Sequence, residues 1–291
     1  MQVNYADQGM ETGDTRGGNR QHIILLEGDE LSLDNYRLLV ARQSGAYSGP
    51  RHRHNFDQIR MCLSGRMNYG VNQWIKPGEI AYFPEGTRYG PDISDEEYDS
   101  MVIQFGGSSG QGFLSSNQMI AGMEELKKFG KFEDGIFRRS GDIGPGERAN
   151  QDSYEAIWEF LNARSIEYPK EHYEMPIHIK PQNFSWIPQP DLQALSVKQL
   201  AVLSERRVEI SMLQILAHNS MRLTPRAGTQ VGFVLSGTGR INDRELKERS
   251  AFSLEPFEAA QLTAISDLEL VLMGLPILAA TPVWPGSLAL A

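Results

Sequence analysis

The chain contains a single cysteine, Cys62, among 291 residues. No internal disulfide can form, and a structural zinc site built on several thiolates is excluded. A chain with so little thiol suits a reducing compartment, and a cytoplasmic protein is expected. Long apolar runs are also missing. The longest, Val271–Ala280, is broken by Gly274 and Pro276 and is too short to span a bilayer, so no membrane association is expected. Met1–Arg20 carries no apolar core of the kind a secretory signal needs, and reads as a polar, Gly-rich, flexible leader. Positive charge is scarce, with 28 Lys and Arg against 37 Asp and Glu and a net charge of −9. That removes a broad electrostatic grip on nucleic acid and leaves only a local basic pocket open. No basic helix-turn-helix segment is visible either.

What the chain does have is strand chemistry. With 40% apolar residues, 28 Gly and 15 Pro, it reads as a globular protein rich in strands and turns. Short runs of Val, Ile, Leu, Tyr and Phe between turn residues predict strands over 23–26, 36–42, 58–63, 67–71, 79–83 and 98–105, the spacing of an antiparallel sandwich or barrel. The middle changes to helical spacing over Asn117–Phe129, ended by Gly130, and over Ser153–Arg164, capped by Asp152 or Ser153. Pro169–Pro190 reads as an extended crossing segment. Strands resume over 208–217, 231–235, 239–241, 251–254, 259–263 and 268–273. The expected organisation is a leader at 1–20, a first barrel at 21–110, a helical and extended connector at 111–206 and a second barrel at 207–291. Edge strands of such barrels invite a partner copy, and a homodimer is expected.

The two β units repeat one another. Gln58-Ile-Arg-Met-Cys-Leu-Ser-Gly65 and Gln230-Val-Gly-Phe-Val-Leu-Ser-Gly237 place Gln, an apolar run and a Ser-Gly turn at the same spacing, the mark of a duplicated domain.

Candidate chemistry lies in the first unit. His52 and His54 stand at i and i+2, a spacing that puts both imidazoles on one face of a strand, where they can share one metal ion. They fall within Gly49-Pro-Arg-His52-Arg-His54-Asn-Phe-Asp57-Gln58, which leads to Gly65. A second segment, Lys76-Pro77-Gly78 through Tyr82-Phe83-Pro84-Glu85-Gly86-Thr87-Arg88-Tyr89, reads as turn, strand and turn. Counted from His54, the same parity turns Phe56, Gln58, Arg60 and Cys62 inward and Asp57 outward. A buried guanidinium needs an anionic partner, which can be a substrate carboxylate or enolate, or a protein acid. Cys62 reads as a small core residue, Arg88 as solvated, and one or two of Tyr69, Trp74, Tyr82 and Phe83 as an apolar pocket wall. The lone histidines His22, His172, His178 and His218 read as structural.

Together the two segments resemble the signature motifs of the cupin superfamily, and their repetition makes the chain look like a bicupin. The resemblance implies an all-β fold of two antiparallel jelly-roll barrels (double-stranded β-helices) joined by a helical connector. It also implies one divalent transition metal (Fe, Mn, Ni or Zn) at His52, His54, Gln58 and Tyr89, positions at which the family pattern has two His, a Glu and a third His. The glutamate has become Gln58 and the last histidine Tyr89, so the usual two-His, one-carboxylate set is incomplete. In the second barrel the corresponding positions are Thr224, Arg226, Gln230 and Gln261, and no metal is expected there. The implied function is a metal-dependent enzyme acting on a small organic acid or phenolic compound. Arg60 and Tyr89 are its candidate catalytic residues, and isomerase, lyase, decarboxylase or dioxygenase chemistry is open. The alternative is a binding or sensor barrel without turnover.

Overall fold

The computed structural model describes residues 1–13, 20–111, 113–144, 146–190 and 192–278. Its frame is a pair of seven-stranded antiparallel sheets. The first runs in the order Ile177–Ile179, Ile80–Phe83, Phe56–Ser64, Tyr98–Gly106, Tyr36–Gln43, Arg20–Glu27, Met10–Gly13. Short pairs, Tyr47–Gly49 with Asp92–Ser94 and Met67–Gly70 with Gln73–Ile75, close it into a barrel. The second runs Gln2–Tyr5, Ser250–Leu254, Gln230–Ser236, Leu268–Gly274, Val208–Ile215, Leu192–Leu203, Ile187–Gln189. A four-stranded sheet of Ser220–Leu223, Ala260–Ala264, Gly239–Ile241 and Arg244–Leu246 completes it.

The two sheets are built alike and exchange one strand. Gln2–Tyr5, from the head of the chain, pairs with Ser250–Ser253 of the second barrel, while Ile177–Ile179, from the segment before the second barrel, pairs with Ile80–Tyr82 of the first. The polar leader expected at 1–20 is therefore strand at both ends of its described part, Gln2–Tyr5 and Met10–Gly13. The second barrel likewise begins before residue 207, because Leu192–Leu203 is its longest strand and pairs with Val208–Ile215.

The repeated Ser-Gly turn has a steric cause. Gly65 and Gly237 adopt φ of 69° and 84°. A Cβ there would lie 2.2 Å from Glu97 O and 1.9 Å from Asp267 O, so only glycine fits. Ile59, Met61, Ile103 and Phe105 of the first sheet pack against Val208, Ile210, Val231 and Phe233 of the second in one shared core. Side chains of the opposite parity turn into the barrels.

The helices form where their spacing predicted, with tighter bounds. Ser116–Leu126 starts on a capping box between Ser115 and Gln118 and ends at Lys127, so Gly130 opens a strand and does not close the helix. Ser153–Asn162 is capped by Asp152, whose side chain accepts from the amides of Tyr154 and Glu155. With a three-stranded sheet at 130–152, the helices sit on an apolar cluster of Phe56, Phe113, Met119, Tyr154 and Ile157. The middle of the chain is thus a roof over the first barrel and more than a connector. Among the described residues no helix is long and apolar enough to cross a membrane.

Candidate active site in the N-terminal barrel

Backbone pairing sets the two halves of the site facing each other. His52 and Tyr89 form an isolated antiparallel bridge, each amide donating to the other's carbonyl at 2.9 Å. Gly86 N donates to His54 O at 2.8 Å and ties the turn before Tyr89 to the histidine segment. His52, His54, Gln58, Arg60 and Tyr89 are all buried, and their polar atoms meet at the Tyr89 hydroxyl. That oxygen lies 2.9 Å from His52 Nε2, 3.2 Å from His54 Nδ1, 2.6 Å from Gln58 Nε2 and 2.9 Å from an Arg60 terminal nitrogen. Every side chain singled out from sequence as a site residue is brought together here.

Hydrogen bonds assign the donors. His52 Nδ1 donates to Pro50 O at 2.8 Å, which leaves the Nε2 lone pair facing the centre. His54 Nδ1 turns the same way, its lone pair accepting from the Gln58 amide at 3.2 Å. Gln58 turns its nitrogen to Tyr89 and its oxygen to Arg60 Nε at 3.1 Å, so it orients its neighbours and its acceptor atom is already engaged. In this arrangement Gln58 stands among His54, Arg60 and Tyr89 as a hydrogen-bonding neighbour of each. Asp57 points to the other face, accepting from Tyr82 Oη at 2.7 Å and Glu85 N at 2.8 Å. Burial, only partly offset by those hydrogen bonds, pushes its carboxyl up to about 7.

Among the described residues no group of three or more His, Cys, Asp or Glu could hold a metal ion. Two inward imidazole lone pairs and the Tyr89 oxygen nevertheless share one small volume. That donor set fits a divalent transition ion if Tyr89 enters as phenolate, with His52, His54 and Tyr89 as its holders.

Beside this cluster lies a cavity of about 80 Å³, room for several waters or a small organic molecule. Its cationic wall is Arg20, Arg37 and Arg60, and among the described residues no Asp or Glu lines it. Arg60 stacks over Phe83 at 4.7 Å, and the residue opposite it on the neighbouring strand is Ala81, small enough to leave the guanidinium its space. The protein acid nearest Arg60 is Asp92, at 3.9 Å, whose shorter ion pair is to Arg20 at 2.6 Å. Leu39, Val102, Phe113, Met119 and Tyr154 supply the apolar wall. The aromatics expected there behave differently: Tyr69 and Phe83 pack behind the cavity, Tyr82 joins the core between the barrels, and Trp74 lies under Arg66. Sequence reasoning read the lining His22 as structural and missed Arg20, Arg37, Phe113, Met119 and Tyr154. The last three belong to the roof, whose docking on the barrel no local pattern encodes. Cys62 is buried, and desolvation pushes its thiol up to about 11, which fits an inert core residue.

The second barrel inverts this volume arrangement. Opposite Gly232, the counterpart of Arg60, stands Phe252. A Cβ on Gly232 would lie 2.1 Å from the Phe252 ring, so the phenyl fills the space that Arg60 has in the first barrel. Gln230 donates to Thr224 O at 3.0 Å and Arg226 pairs with Glu209 at 2.7 Å. Gln261 is exposed, its neighbours Ala260 and Leu262 facing inward instead, so it does not occupy the place that Tyr89 holds.

No protein-family model and no curated protein matches the chain. Solved structures do. A "putative dioxygenase" from Nostoc punctiforme PCC 73102 aligns over 96% of this chain and 84% of its own, with TM-score 0.59 and 11% identity. Oxalate decarboxylase of Bacillus subtilis, in a study of its Mn(II) centres, aligns over 94% of this chain and 77% of its own, with TM-score 0.57 and 12% identity. Protein GK1651 of Geobacillus kaustophilus covers 94% of this chain and 95% of its own, at TM-score 0.54 and 10% identity. The chain has the bicupin fold. Within that fold the first barrel keeps an open, cationic interior, and the inner half of the second is packed with apolar side chains.

Proposed function

We propose that the N-terminal barrel of this bicupin is an enzyme site for a small, anionic, partly apolar organic acid, assisted by one divalent transition metal at His52, His54 and Tyr89. The observation that carries the reading is the buried Arg60 guanidinium in a cavity without an acidic wall, in direct contact with that donor set. When bound, such an ion supplies Lewis-acid polarisation of a ligand oxygen. Arg60 anchors a carboxylate or developing enolate, with Val102 and Phe113 against the carbon skeleton. Gln58 holds Tyr89 and His54 in place. Tyr89, in hydrogen-bond reach of His52 Nε2 and of the Arg60 guanidinium, gives up its proton when it enters as phenolate and can take one back at that oxygen when the ion releases it. The roof residues Met119 and Tyr154 exclude water from the cavity.

A second reading, a binding or sensor barrel without turnover, is favoured by the absence of a carboxylate ligand. The test is a panel of small carboxylic acids and their neutral amides, offered to the metal-loaded protein with and without oxygen. Enzyme function predicts turnover of at least one acid. Arg60→Ala is expected to weaken acids by about ten-fold or more relative to the neutral analogues, and Tyr89→Phe to lower turnover more than affinity. Binding without turnover across the panel makes the sensor reading the better one, and equal binding of acids and amides removes the anchor role of Arg60.

A further inference from the structure

The second barrel, which has Thr224, Arg226, Gln230 and Gln261 at the sequence positions that correspond to the first-barrel cluster, is not closed at its mouth. A cavity of about 550 Å³ opens there, lined by Glu209, Ser211 and Leu213 on one strand, by Leu223, Gln230 and Leu272, and by Arg206, Arg207, Arg222 and Arg226 at the rim. Four arginines and one carboxylate, Glu209, are among its lining residues. Glu209 is shared by Arg226 at 2.7 Å and Arg207 at 3.0 Å. Arg206 donates to Ile277 O at 2.9 Å, and the adjacent Glu205 carboxylate interacts with its charge.

Arg226 stands where the first barrel has His54, and it is seated by design of the backbone beneath it. A Cβ on Gly274 would lie 2.5 Å from an Arg226 terminal nitrogen, so the glycine clears the path of the guanidinium into the mouth. The floor is apolar, with Leu213, Leu223 and Leu272 above the packed inner core.

We infer that the mouth of the second barrel binds a small organic anion carrying two or more negative charges, a phosphate monoester or a di- or tricarboxylate, with the arginine rim on its charged groups and the leucine floor under its carbon skeleton. Guanidinium forks match both carboxylate and phosphate oxygens, and a rim of three or more cations around one carboxylate favours a multivalent ligand over a monoanion. The site is distinct from the first-barrel cavity, because Arg60 and the histidines belong to the other barrel.

Isothermal titration of the full-length protein with inorganic phosphate and with citrate separates the two ligand sources. At least one is expected to bind. An Arg206→Gln, Arg222→Gln variant, which leaves the Arg226–Glu209 pair intact, is expected to lose about ten-fold or more in that affinity, and an Arg60→Ala variant to leave it unchanged. A paired Glu209→Gln, Arg226→Gln variant, which removes both members of the ion pair, is expected to weaken binding as well. Absence of binding by both ligands, binding that survives in both rim variants, or binding lost in Arg60→Ala and kept in the rim variants overturns the assignment.

Discussion

Asp57 and Gly232 show how one residue decides what a barrel interior can hold. The Asp57 carboxyl titrates near 7 because it is desolvated, against an ordinary value of 3.8. An acid raised in the folded state binds a proton that the unfolded chain has released, so its contribution to stability falls as pH rises from about 4 to about 7, by about 1.4 kcal/mol per unit at most. Asp57→Asn imitates the neutral acid toward Tyr82 and Glu85. Relative to the parent protein, it is expected to gain stability progressively between pH 4.5 and pH 8 in urea unfolding. A pH-independent difference between the two would show that Asp57 does not titrate in this range. At Gly232 the added methyl of Gly232→Ala meets the Phe252 ring at 2.1 Å. A loss of about 1–3 kcal/mol is expected in the same assay, and a neutral substitution would mean that Phe252 does not fill that space. His52, His54, Gln58 and Arg60 were legible as a shared face because side chains alternate along a strand, and Tyr89 because its place in the second segment matches the last histidine of the cupin pattern. The role of Gln58 was not, because which end of an amide faces the centre depends on Arg60, a neighbour that spacing alone does not orient.

Among the elements, the strand Gln2–Tyr5 is the least visible in sequence and one of the most consequential in place. It is short and polar, and its partner Ser250–Ser253 lies at the far end of the chain, so no local pattern could announce it. Val3 packs inside the second barrel among Leu195, Phe252 and Leu254. Deleting residues 1–5 bares the edge of Ser250–Leu254, and the truncated protein is expected to unfold at lower temperature and to self-associate. An unchanged melting temperature would show that the strand exchange contributes nothing. The long strand Leu192–Leu203 escaped notice for a related reason: Gln193, Ser196, Lys198 and Gln199 dilute its apolar content, and its apolar positions meet partners only in the sheet. The helices were easier to find, since capping residues and a period of 3.6 are local signals. Their function as a roof was not, since it rests on the docking of Met119 and Tyr154 against Phe56.

For the whole molecule, duplication was readable in the paired Gln-to-Gly segments, and the reciprocal strand exchange extends it from motif to architecture. The two sheets share one core, in which Ile210 and Phe233 of the second barrel pack with Ile59 and Phe105 of the first. The barrels are therefore expected to melt in one calorimetric transition, and Ile210→Ala to lower that single transition at a cost of about 2–5 kcal/mol. Two resolved transitions would mean that the shared core does not couple them. The repeat has diverged in its interiors: Arg60 opposite Ala81 leaves the first barrel a charged inner cavity, while Phe252 opposite Gly232 fills the matching space in the second. This asymmetry underlies the central claim that one barrel only holds a metal ion, through His52, His54 and Tyr89. Elemental analysis of untagged protein after saturation with a divalent transition metal and gel filtration tests it most directly. The expected result is about one ion per chain, lost in the His52→Ala, His54→Ala double variant. About two ions per chain, or the same content in the double variant, would contradict it.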